Sequence, residues 1–278
     1  MIDVIIPVYN TPLDDLKRCL DSVLNQTHNN YKVYIIDDGS NEETRCFLDN
    51  YVNDKDNFII KHIKNSGISN ARNLGIEISN SKYIAFVDSD DKVEKNFLSE
   101  AYKLIEENNL DLIIGGYNEI KNNEIIRTRL SLPGLHIYED NNINYFLEKL
   151  LSGKTNDNNK EINDCPVGRI YNRLFRRQSI GNLRFNTNIH MSEDTLFMID
   201  YTQISNKIGV VDKVWYNYYI NDYSVSNGKD KEKIIKKIDG FLDEIVLRMN
   251  KETRKQIKEA YQARINKATE FVNKINRR

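Results

Sequence analysis

The first 117 residues alternate between short continuous apolar runs and stretches in which apolar residues recur at helical spacing. The apolar runs are rich in Ile, Val and Tyr at successive positions, so both faces of each strand are expected to be covered. This pattern predicts an α/β fold with a mostly parallel, Rossmann-like sheet and helices on both faces. The predicted strands span residues 3–8, 32–37, 58–63, 83–88, 112–117 and 214–220, and the predicted helices span residues 13–25, 42–52, 69–79 and 95–108.

The regular alternation ends after residue 117. Residues 120–126 predict a β-hairpin around Asn122 and Asn123, and the polar, turn-rich residues 153–164 predict a loop or lid. Apolar residues return at helical spacing in residues 229–278, which predicts amphipathic helices at the end of the chain.

Length and composition limit the class of protein. With 278 residues and 40% hydrophobic content, the chain is long enough for one large core, or for a core with a smaller satellite. It has no run of 18 apolar residues, and it enters a strand pattern at once without a signal-peptide pattern. The three cysteines, Cys19, Cys46 and Cys165, are widely spaced and include no CxxC pair, which disfavours a disulfide framework or a zinc site. We therefore expect a cytoplasmic protein.

The net charge of −1 hides an asymmetry along the chain. Residues 229–278 hold 15 Lys or Arg and 8 Asp or Glu, so this segment carries +7 while residues 1–228 carry −8. Any basic surface is therefore local. Because no recognisable nucleic-acid-binding motif is present either, we expect no nucleic-acid partner.

Two roles are open for the basic C-terminal segment. Lysines surround the apolar positions Ile234, Ile238 and Phe241, as in a helix that lies on an anionic membrane and gives peripheral contact with the inner face of the cell membrane. Alternatively, the apolar stripe packs against the rest of the chain or against a second copy in a homo-oligomer. We favour packing, because apolar stripes more often face a core. The lysines concerned are Lys231, Lys233, Lys236 and Lys237.

Acidic residues follow two of the predicted strands, at the end where open α/β sheets bind ligands. In the segment IIDDGS, Asp37 and Asp38 precede Gly39, and a carboxylate there can accept hydrogen bonds from a base or a ribose. The alternative is that Asp38 only starts a turn or caps the next helix.

The second acidic segment, FVDSDD, carries more information. Asp88 and Asp90 are separated by one residue at the end of an apolar run, so both can approach one hard cation. Mg²⁺ or Mn²⁺ prefers such oxygen ligands together with substrate phosphates. An acidic helix start would explain Asp91, but three converging carboxylates without a cation would repel one another. The segment therefore favours a metal site.

Two further segments offer charged side chains. In NSGISNARNLG, Arg72 lies early in a predicted helix, where it either reaches a phosphate or carboxylate or is an ordinary surface residue. In SEDTLF, Glu193 and Asp194 precede an apolar helical run, and a carboxylate at a helix start is stabilised as an anion and can act as a general base. Helix capping by Ser192 explains this segment only partly, because the Glu or Gln of a capping box is missing.

Several common sites are absent from the sequence. The four histidines, His28, His62, His136 and His190, lack metal-like spacing and are interpreted as ordinary surface or core residues. There is no GxGxxG or Walker-type glycine loop and no GxSxG elbow. This disfavours the dinucleotide-binding, P-loop and α/β-hydrolase classes.

Taken in order, VIIPVYN, IIDDGS, NSGISNARNLG, YIAFVDSDD and SEDTLF resemble the motifs of the inverting family 2 glycosyltransferases with the GT-A fold. Each motif is modest, but five of them in this order and spacing are highly specific. The resemblance extends from residue 2 to about residue 226 and is weakest between residues 118 and 164. It implies a GT-A catalytic domain at residues 1–228, with a nucleotide-binding half at 1–117 and an acceptor-binding half at 118–228, followed by a helical region at 229–278.

The resemblance also implies roles for individual residues. Asp38 would lie at the uracil, and Arg72 would approach the base or the diphosphate. The full set of nucleotide-binding residues implied in this way is Pro7, Val8, Tyr9, Asp38, Asn65, Arg72, Asp88, Ser224 and Ser226.

The chemistry is implied by two acidic pairs. Asp88 and Asp90 match the DXD pair at the metal, Asp194 matches the catalytic base, and Glu193 matches an acceptor-site carboxylate. The sequence departs from the family before Ser224, where related enzymes often carry an arginine and this chain has Tyr219 and Ile220.

The implied enzyme is a hexosyltransferase that uses a UDP-sugar donor and Mn²⁺ or Mg²⁺ and inverts the anomeric centre. Its acceptor would be a hydroxyl of a glycan, a lipid-linked molecule or a glycoprotein. Two alternatives stay open. A sugar-phosphate nucleotidyltransferase would want a Gly-rich basic loop where residues 9–12 read Tyr-Asn-Thr-Pro, and a nucleotide-binding or scaffold module would have no transferase activity.

Overall fold

The structure of the protein is a computed structural model that describes residues 1–131, 133–152, 168–221 and 231–276. The loop predicted at residues 153–164 and the candidate residues Ser224 and Ser226 lie outside the described residues.

The first half of the chain forms the predicted alternation of strands and helices. Strand ends agree with the apolar pattern to within two residues; β4 is the shortest of the four main strands, because Val87 and Asp88 leave the sheet to begin the acidic loop. The elements are β1 (Ile2–Val8), α1 (Leu13–Leu24), β2 (Tyr31–Asp37), α2 (Glu42–Val52), β3 (Phe58–His62), α3 (Ile68–Ile78), β4 (Tyr83–Phe86), the short β5 (Lys92–Val93) and α4 (Phe97–Glu107).

The second half contains more regular structure than its sequence pattern predicted. Its last strand begins at Lys207 rather than at residue 214, because a β-bulge between Val210 and Val214 interrupts the apolar alternation. The elements are β6 (Leu112–Lys121), β7 (Glu124–Arg129), β8 (Leu135–Glu139), α5 (Asn141–Ser152), β9 (Arg173–Arg176), α6 (Arg177–Ile180), α7 (Glu193–Ile204), β10 (Lys207–Tyr219), α8 (Lys231–Lys251) and α9 (Lys255–Asn276).

The predicted hairpin is confirmed. Strands β6 and β7 pair in antiparallel fashion, with Lys121 opposite Glu124. The two intervening residues, Asn122 and Asn123, have φ of 52° and 61°. Asparagine tolerates this left-handed region better than most residues, and a two-residue turn with both φ positive matches the twist of the flanking strands.

The strands form one sheet in the order β3-β2-β1-β4-β9-β6-β10-β5, with β7 beside β6 and β8 beside β10. The pairs β1/β2, β2/β3, β1/β4 and β6/β10 are parallel. Strand β9 is antiparallel to both β4 and β6, so β6 runs in the same direction as β4. Six strands of the sheet therefore run in the same direction, namely β1, β2, β3, β4, β6 and β10. The mostly parallel sheet predicted from the sequence is confirmed.

Helices cover both faces of the sheet, as predicted. Along β1, Val4 and Ile6 belong to a core formed with α1, α2 and α4, whereas Ile5 belongs to a second core formed with α3, α5, α7, α8 and α9. Successive residues of a strand point to opposite faces, which explains the division. Packed helices therefore hold the sheet, and the carboxyl ends of its strands, from both faces.

The C-terminal helices belong to the second core. Ile238, Phe241 and Ile245 of α8 and Ile257 and Tyr261 of α9 are at most 5% exposed. Burying each such side chain contributes about 1.5–3 kcal/mol. The apolar stripe that the sequence showed in this region therefore faces the rest of the chain at these positions.

Among the described residues, no helix combines the length and the apolar character required to cross a membrane.

Candidate active site

The acidic segments singled out in the sequence lie together at the carboxyl edge of the sheet. Asp37 ends β2, Asp38 follows it, and Asp88 comes two residues after β4. Strand β1 lies between β2 and β4 and is parallel to both, so the segments after these three strands open on the same side. Ligands of open α/β sheets bind at this edge.

Asp38 is held by the loop between β3 and α3. Its Oδ1 accepts a hydrogen bond from Ser66 N at 2.7 Å, and its Oδ2 accepts one from Gly67 N at 2.8 Å. Asn65 Nδ2 donates to the Asp38 carbonyl oxygen at 2.9 Å. Helix α2 is capped by Asn41 instead, so the helix-capping alternative for Asp38 is wrong. The Asp38 carboxylate fixes the loop that carries Asn65 beside the sheet edge.

Glycine is required next to Asp38. Gly39 has a φ of 75°, and a Cβ at this position would lie 2.6 Å from Asn65 N. Only a residue without a side chain allows both the left-handed backbone and this approach.

Asp37 has a structural role. It is fully buried, its Oδ1 accepts from Ser40 N at 2.9 Å, and its Oδ2 lies 2.6 Å from His62 Nδ1. His62 Nε2 lies 3.0 Å from Asp49 Oδ1. Burial acts to lower the pKa of His62, but the hydrogen bonds to Asp37 and Asp49 raise it above its ordinary value. This agrees with the interpretation of His62 as a partnered residue rather than a metal ligand.

The three residues assigned to the start of the nucleotide pocket differ in exposure. Pro7 and Val8 end β1 and are buried, whereas Tyr9 is 56% exposed. Only Tyr9 therefore offers an exposed side chain, and an aromatic ring there provides a flat apolar surface.

The carboxylates of the acidic loop have different surroundings. Asp88 Oδ1 accepts from Arg72 Nη2 at 3.0 Å, and Asp90 Oδ2 accepts from Asn221 Nδ2 at 3.2 Å. Asp91 is buried. Its side chain accepts a hydrogen bond from Tyr216 Oη at 2.7 Å and another from Tyr219 N at 2.8 Å. Asp91 thus ties the loop to β10. Within the described chain, one oxygen of Asp88 and one of Asp90 remain without a hydrogen-bond partner.

The loop concentrates negative charge. Burial and the neighbouring Asp88 raise the pKa of Asp90 to about 6. Burial, Asp90 and Asp88 raise the pKa of Asp91 well above its ordinary value. Because the three carboxylates disfavour one another's ionised form, a cation at this point would relieve the repulsion.

The donor set fits a divalent cation that is shared with a substrate. Across the described residues, no group of three or more His, Cys, Asp or Glu side chains forms a metal site by itself. Mg²⁺ and its relatives in nucleotide sites require only one or two carboxylates, with the remaining ligands from phosphates and water. Asp88 and Asp90 meet that requirement.

Arg72 joins the acidic loop to α7. The residue is 3% exposed; its Nη2 donates to Asp88 Oδ1 and its Nη1 donates to Glu193 Oε1 at 2.8 Å. Burial acts to lower the pKa of Arg72, but the charges of Asp88, Glu193 and Asp194 raise it above its ordinary value. The alternative that Arg72 is a surface residue is therefore wrong.

The carboxylates predicted at the start of a helix occupy the first turn of α7. Ser192 precedes the helix with a φ of 62° and makes no capping hydrogen bond through its side chain. Asp194 Oδ1 accepts from Thr195 N at 2.7 Å. Burial and the charge of Asp194 raise the pKa of Glu193, while Arg72 opposes the shift. The structure thus brings Asp88, Arg72, Glu193 and Asp194 into one cluster.

Other site residues were missed by sequence analysis. Tyr216 Oη accepts from Asp88 N at 3.1 Å while it donates to Asp91, so one buried tyrosine holds both ends of the acidic loop. Arg18, on α1, donates to the carbonyl oxygen of Asp90, and its guanidinium carbon lies 3.7 Å from the centre of the Tyr219 ring. Nothing local in the sequence signals either role, because both depend on packing between distant segments.

Comparison with known sequences now decides the family. The family model described as glycosyl transferase family 2 matches residues 3–184. The chain belongs to glycosyl transferase family 2. The matched part includes Asp38, Arg72, Asp88 and Asp90 and ends before α7.

Two curated relatives illustrate the range of the family. Poly(ribitol-phosphate) beta-N-acetylglucosaminyltransferase TarP of Staphylococcus aureus (strain N315) is 32% identical over 239 residues, which make up 81% of this chain and 64% of TarP. Glycosyltransferase GlyA of Streptococcus pneumoniae serotype 4 is 25% identical over 249 residues, or 90% of this chain and 35% of GlyA. The chain thus spans less than two thirds of either relative.

Solved structures agree on the fold. The structure of S. aureus TarS 1–349 with UDP matches with a TM-score of 0.65 at 20% identity and covers 88% of this chain and 65% of TarS 1–349. The complex of the same protein with UDP-GlcNAc matches with a TM-score of 0.68 at 19% identity, over 88% of this chain and 66% of that one. The GT-A fold expected from the sequence is confirmed. Family 2 glycosyltransferases commonly use divalent metals, in agreement with the carboxylates found here.

Proposed function

We propose that this chain is an inverting hexosyltransferase that moves a sugar from a UDP-sugar to a hydroxyl of its acceptor. The observation that carries the proposal is the Arg72 bridge, in which one buried guanidinium links Asp88 to Glu193, the neighbour of Asp194. A carboxylate of the pair suited to a metal is thus linked directly to a carboxylate of the pair suited to proton transfer. Membership of the family and the TarS complexes with UDP and UDP-GlcNAc support a nucleotide-sugar donor.

In this proposal the nucleotide lies along the ends of β1, β2 and β4. Pro7 and Val8 form the wall of the pocket, the exposed ring of Tyr9 packs on the base, and Asp38 accepts a hydrogen bond from the uracil. Asn65 supports this pocket through its bond to the Asp38 carbonyl oxygen. Contacts of Ser224 and Ser226 with the diphosphate remain a prediction from the family resemblance.

Asp88 and Asp90 would hold the divalent cation, Mn²⁺ or Mg²⁺. When bound, the cation supplies positive charge to the diphosphate as it leaves. The chain supports these ligands from both sides, because Asn221 donates to the Asp90 side chain and Arg18 donates to the Asp90 carbonyl oxygen.

Asp194 is proposed as the general base. It takes the proton of the acceptor hydroxyl while the hydroxyl oxygen bonds to the anomeric carbon, and the bond from that carbon to the diphosphate breaks with its electron pair on UDP. One displacement of this kind inverts the anomeric centre. Glu193, fixed by Arg72, orients the acceptor next to the base.

The acceptor is proposed to be a glycan, a lipid-linked molecule or a glycoprotein, held by the half formed from residues 118–228. Poly(ribitol phosphate), the polymer in the name of TarP, is one candidate of this kind. For residues 229–278, the burial of Ile238 and Phe241 supports packing within the chain over a helix that lies on the membrane with these residues in the lipid. A cytoplasmic location agrees with the use of a UDP-sugar.

Titration of the protein with UDP, with and without Mn²⁺, tests the proposal. We expect Mn²⁺ to tighten UDP binding and Asp90→Asn to abolish the tightening and the sugar transfer, because the variant loses a charged oxygen ligand. Asp239→Asn is a matched control, since Asp239 is exposed on α8 and far along the chain from the acidic loop.

Different outcomes separate the competing functions. A protein that binds no UDP under either condition would be a scaffold rather than a transferase. Binding of a nucleoside triphosphate with release of pyrophosphate in the presence of a sugar phosphate would instead favour a nucleotidyltransferase. Wild-type turnover in Asp90→Asn would remove the metal role of the acidic loop.

A further inference from the structure

Two arginines, the exposed Arg169 and the half-buried Arg264, act electrostatically on the proposed base and lack the carboxylate partners that Arg72 and Arg248 have among the described residues. The first, Arg169, follows Gly168, whose carbonyl oxygen accepts a hydrogen bond from Thr195 Oγ1 at 3.2 Å. Thr195 is the residue after Asp194, so this bond fixes the backbone next to Arg169 against the start of α7. The charges of Tyr171 and Asp194 raise the pKa of Arg169 above its ordinary value, in agreement with this proximity.

Arg169 is held on an aromatic platform. Its guanidinium carbon lies 5.7 Å from the centre of the Tyr218 ring. Tyr218 lies 5.8 Å from Tyr171, centre to centre, and Tyr171 in turn stacks on Tyr216 at 4.4 Å. Because Tyr216 also holds the acidic loop, the position of Arg169 is fixed relative to the rest of the site.

The second arginine comes from the last helix of the chain. Arg264, on α9, lies with its guanidinium carbon 5.5 Å from the centre of the Phe241 ring of α8. Burial lowers the pKa of Arg264; Asp194 acts to raise it and Arg169 to lower it. Within the described part of the chain, these two residues are the charged groups that act on Arg264.

Arg169 and Arg264 differ from other arginines of the chain that form ion pairs. Arg72 binds two carboxylates, and Arg248 of α8 binds Asp200 and Glu244 at 2.7 and 2.5 Å. By contrast, neither Arg169 nor Arg264 forms a hydrogen bond or an ion pair with another described residue. The charge of Asp194 thus acts on both guanidiniums, and the half-buried Arg264 keeps hydrogen-bond donors that a ligand can fill.

We propose that Arg169 and Arg264 form an anion subsite beside Asp194 that binds a phosphate or carboxylate group of the acceptor. The proposal rests on the transferase function argued above and narrows it to acceptors that carry negative charge near the reacting hydroxyl. A guanidinium presents donors in a planar fork that matches both oxyanions, and burial strengthens such bonds.

The position of the two arginines favours the acceptor over the donor. The largest effects of neighbouring charges on the proposed metal-binding carboxylate Asp90 come from Asp88 and Asp15. Asp88 accepts its hydrogen bond from Arg72. The cation would therefore serve the donor diphosphate, while Arg169 and Arg264 interact electrostatically with Asp194, the group proposed to receive the acceptor proton.

The subsite also gives the C-terminal helices a function. The match to the family model ends at residue 184, so Arg264 lies outside the residues that the family model matches. The burial of Phe241 and Tyr261 holds α8 and α9 on the catalytic core, and this packing positions Arg264. The acceptor specificity of this chain would then depend on its last helix.

Binding of three oligomers of equal length to the full chain tests the subsite, with the donor site saturated by UDP and Mn²⁺. The probes are a ribitol phosphate hexamer, a galacturonate hexamer and the neutral maltohexaose, each titrated calorimetrically at low and high salt. We expect an anionic hexamer to bind at least about tenfold more tightly than the neutral one, and salt to reduce the difference. Preference for the ribitol phosphate identifies a phosphate ligand, and preference for the galacturonate identifies a carboxylate ligand.

Variants identify the residues responsible. Arg169→Gln and Arg264→Gln should each weaken binding of the preferred anion by about tenfold or more, the loss expected for a charge-assisted hydrogen bond, and should leave the affinity for UDP unchanged. Arg264→Lys should retain part of the affinity. Lys258→Gln is the matched control, because it removes the same charge from an exposed position of the same helix.

The proposal and the function on which it rests fail in different ways. If the wild-type protein binds UDP but prefers neither anionic hexamer, or if the arginine variants bind the anion as the wild type does, the subsite is wrong and the transferase function stands. If the arginine variants lose UDP affinity while they remain folded by circular dichroism, the arginines belong to the donor site. If the wild type does not bind UDP, the transferase function itself is wrong.

Discussion

The side of the site proposed for the donor and the side proposed for the acceptor satisfy their charges in opposite ways. On the donor side, backbone amides hold Asp38, and Tyr216 and a backbone amide hold Asp91. On the acceptor side, the charge of the single carboxylate Asp194 acts on both Arg169 and Arg264. The donor side is thus arranged in advance by the chain, whereas the acceptor side leaves hydrogen-bonding capacity for a ligand. The match to the family model includes Asp38, Asp91 and Arg169 and ends before Asp194, Tyr216 and Arg264, so each side combines residues inside and outside the matched part.

The largest effect is expected from a substitution that removes the proposed base and leaves the donor side intact. Asp194→Asn should reduce turnover by about 10²–10⁴-fold, the loss typical of general-base catalysis, while the affinity for UDP stays within about twofold. Steady-state transfer at saturating donor, together with a UDP titration, measures both quantities. If the variant kept its turnover and lost UDP affinity, Asp194 would belong to the donor side. The assignment of Asp194 to the acceptor side would then be wrong.

The next largest effect is expected from a substitution that removes the Arg72 bridge between the two sides. Arg72→Leu should lower the free energy of unfolding by about 3 kcal/mol, because it leaves Glu193 buried and Asp88 half-buried without their counter-ion. Urea denaturation measures this change. Arg45→Leu on the exposed face of α2 is the matched control and should change stability by less than about 0.5 kcal/mol.

A second variant tests the cause of that loss. Adding Glu193→Gln to Arg72→Leu removes one of the stranded charges, so the double variant should be more stable than Arg72→Leu alone. A double variant that is less stable would show that the two sides are not coupled through this pair.

The smallest effect is a pH dependence of the donor side. The pKa of Asp90 is about 6 in the folded protein, above the value of about 4 for an exposed aspartate, so the folded state binds this proton more tightly than the unfolded state does. The stability associated with the proton is present at low pH and is lost as the pH rises through about 6. In the metal-free protein, Asp90→Asn should therefore be more stable than the wild type by about 1 kcal/mol at pH 7.5, and the difference should shrink toward pH 4.

Metal and nucleotide provide the control for this prediction. With Mn²⁺ and UDP at saturation, the wild type should become the more stable of the two proteins, since it binds the cation through a charged oxygen. A difference between wild type and variant that does not change with pH would show that Asp90 is not under the electrostatic stress described here.

The parts of the fold that the sequence predicted are those with local signals. The runs that became β1 and β2 are apolar throughout, and the Asn122-Asn123 turn carries its own backbone preference. The acidic loop could also be found, because Asp88 and Asp90 are separated by only one residue and follow a strand.

The parts that could not be predicted depend on distant contacts. Strand β9 has only four residues and includes the fully buried Arg173, so its sequence reads as polar. Arg72 is 121 residues from Glu193 along the chain, and Arg264 is 70 residues from Asp194. No periodicity or spacing reports such a pair, because only the packing of helices on the sheet brings the two side chains together.

The placement of β9 has a consequence for biosynthesis. This strand pairs with β4 on one side and with β6 on the other, yet it is made about 90 residues after β4. At typical translation rates that interval is on the order of 10 s, during which the growing chain carries unpaired strand edges. Exposed strand edges can pair with other chains, so we expect the nascent protein to be most prone to association in this interval and to depend on chaperones to pass through it.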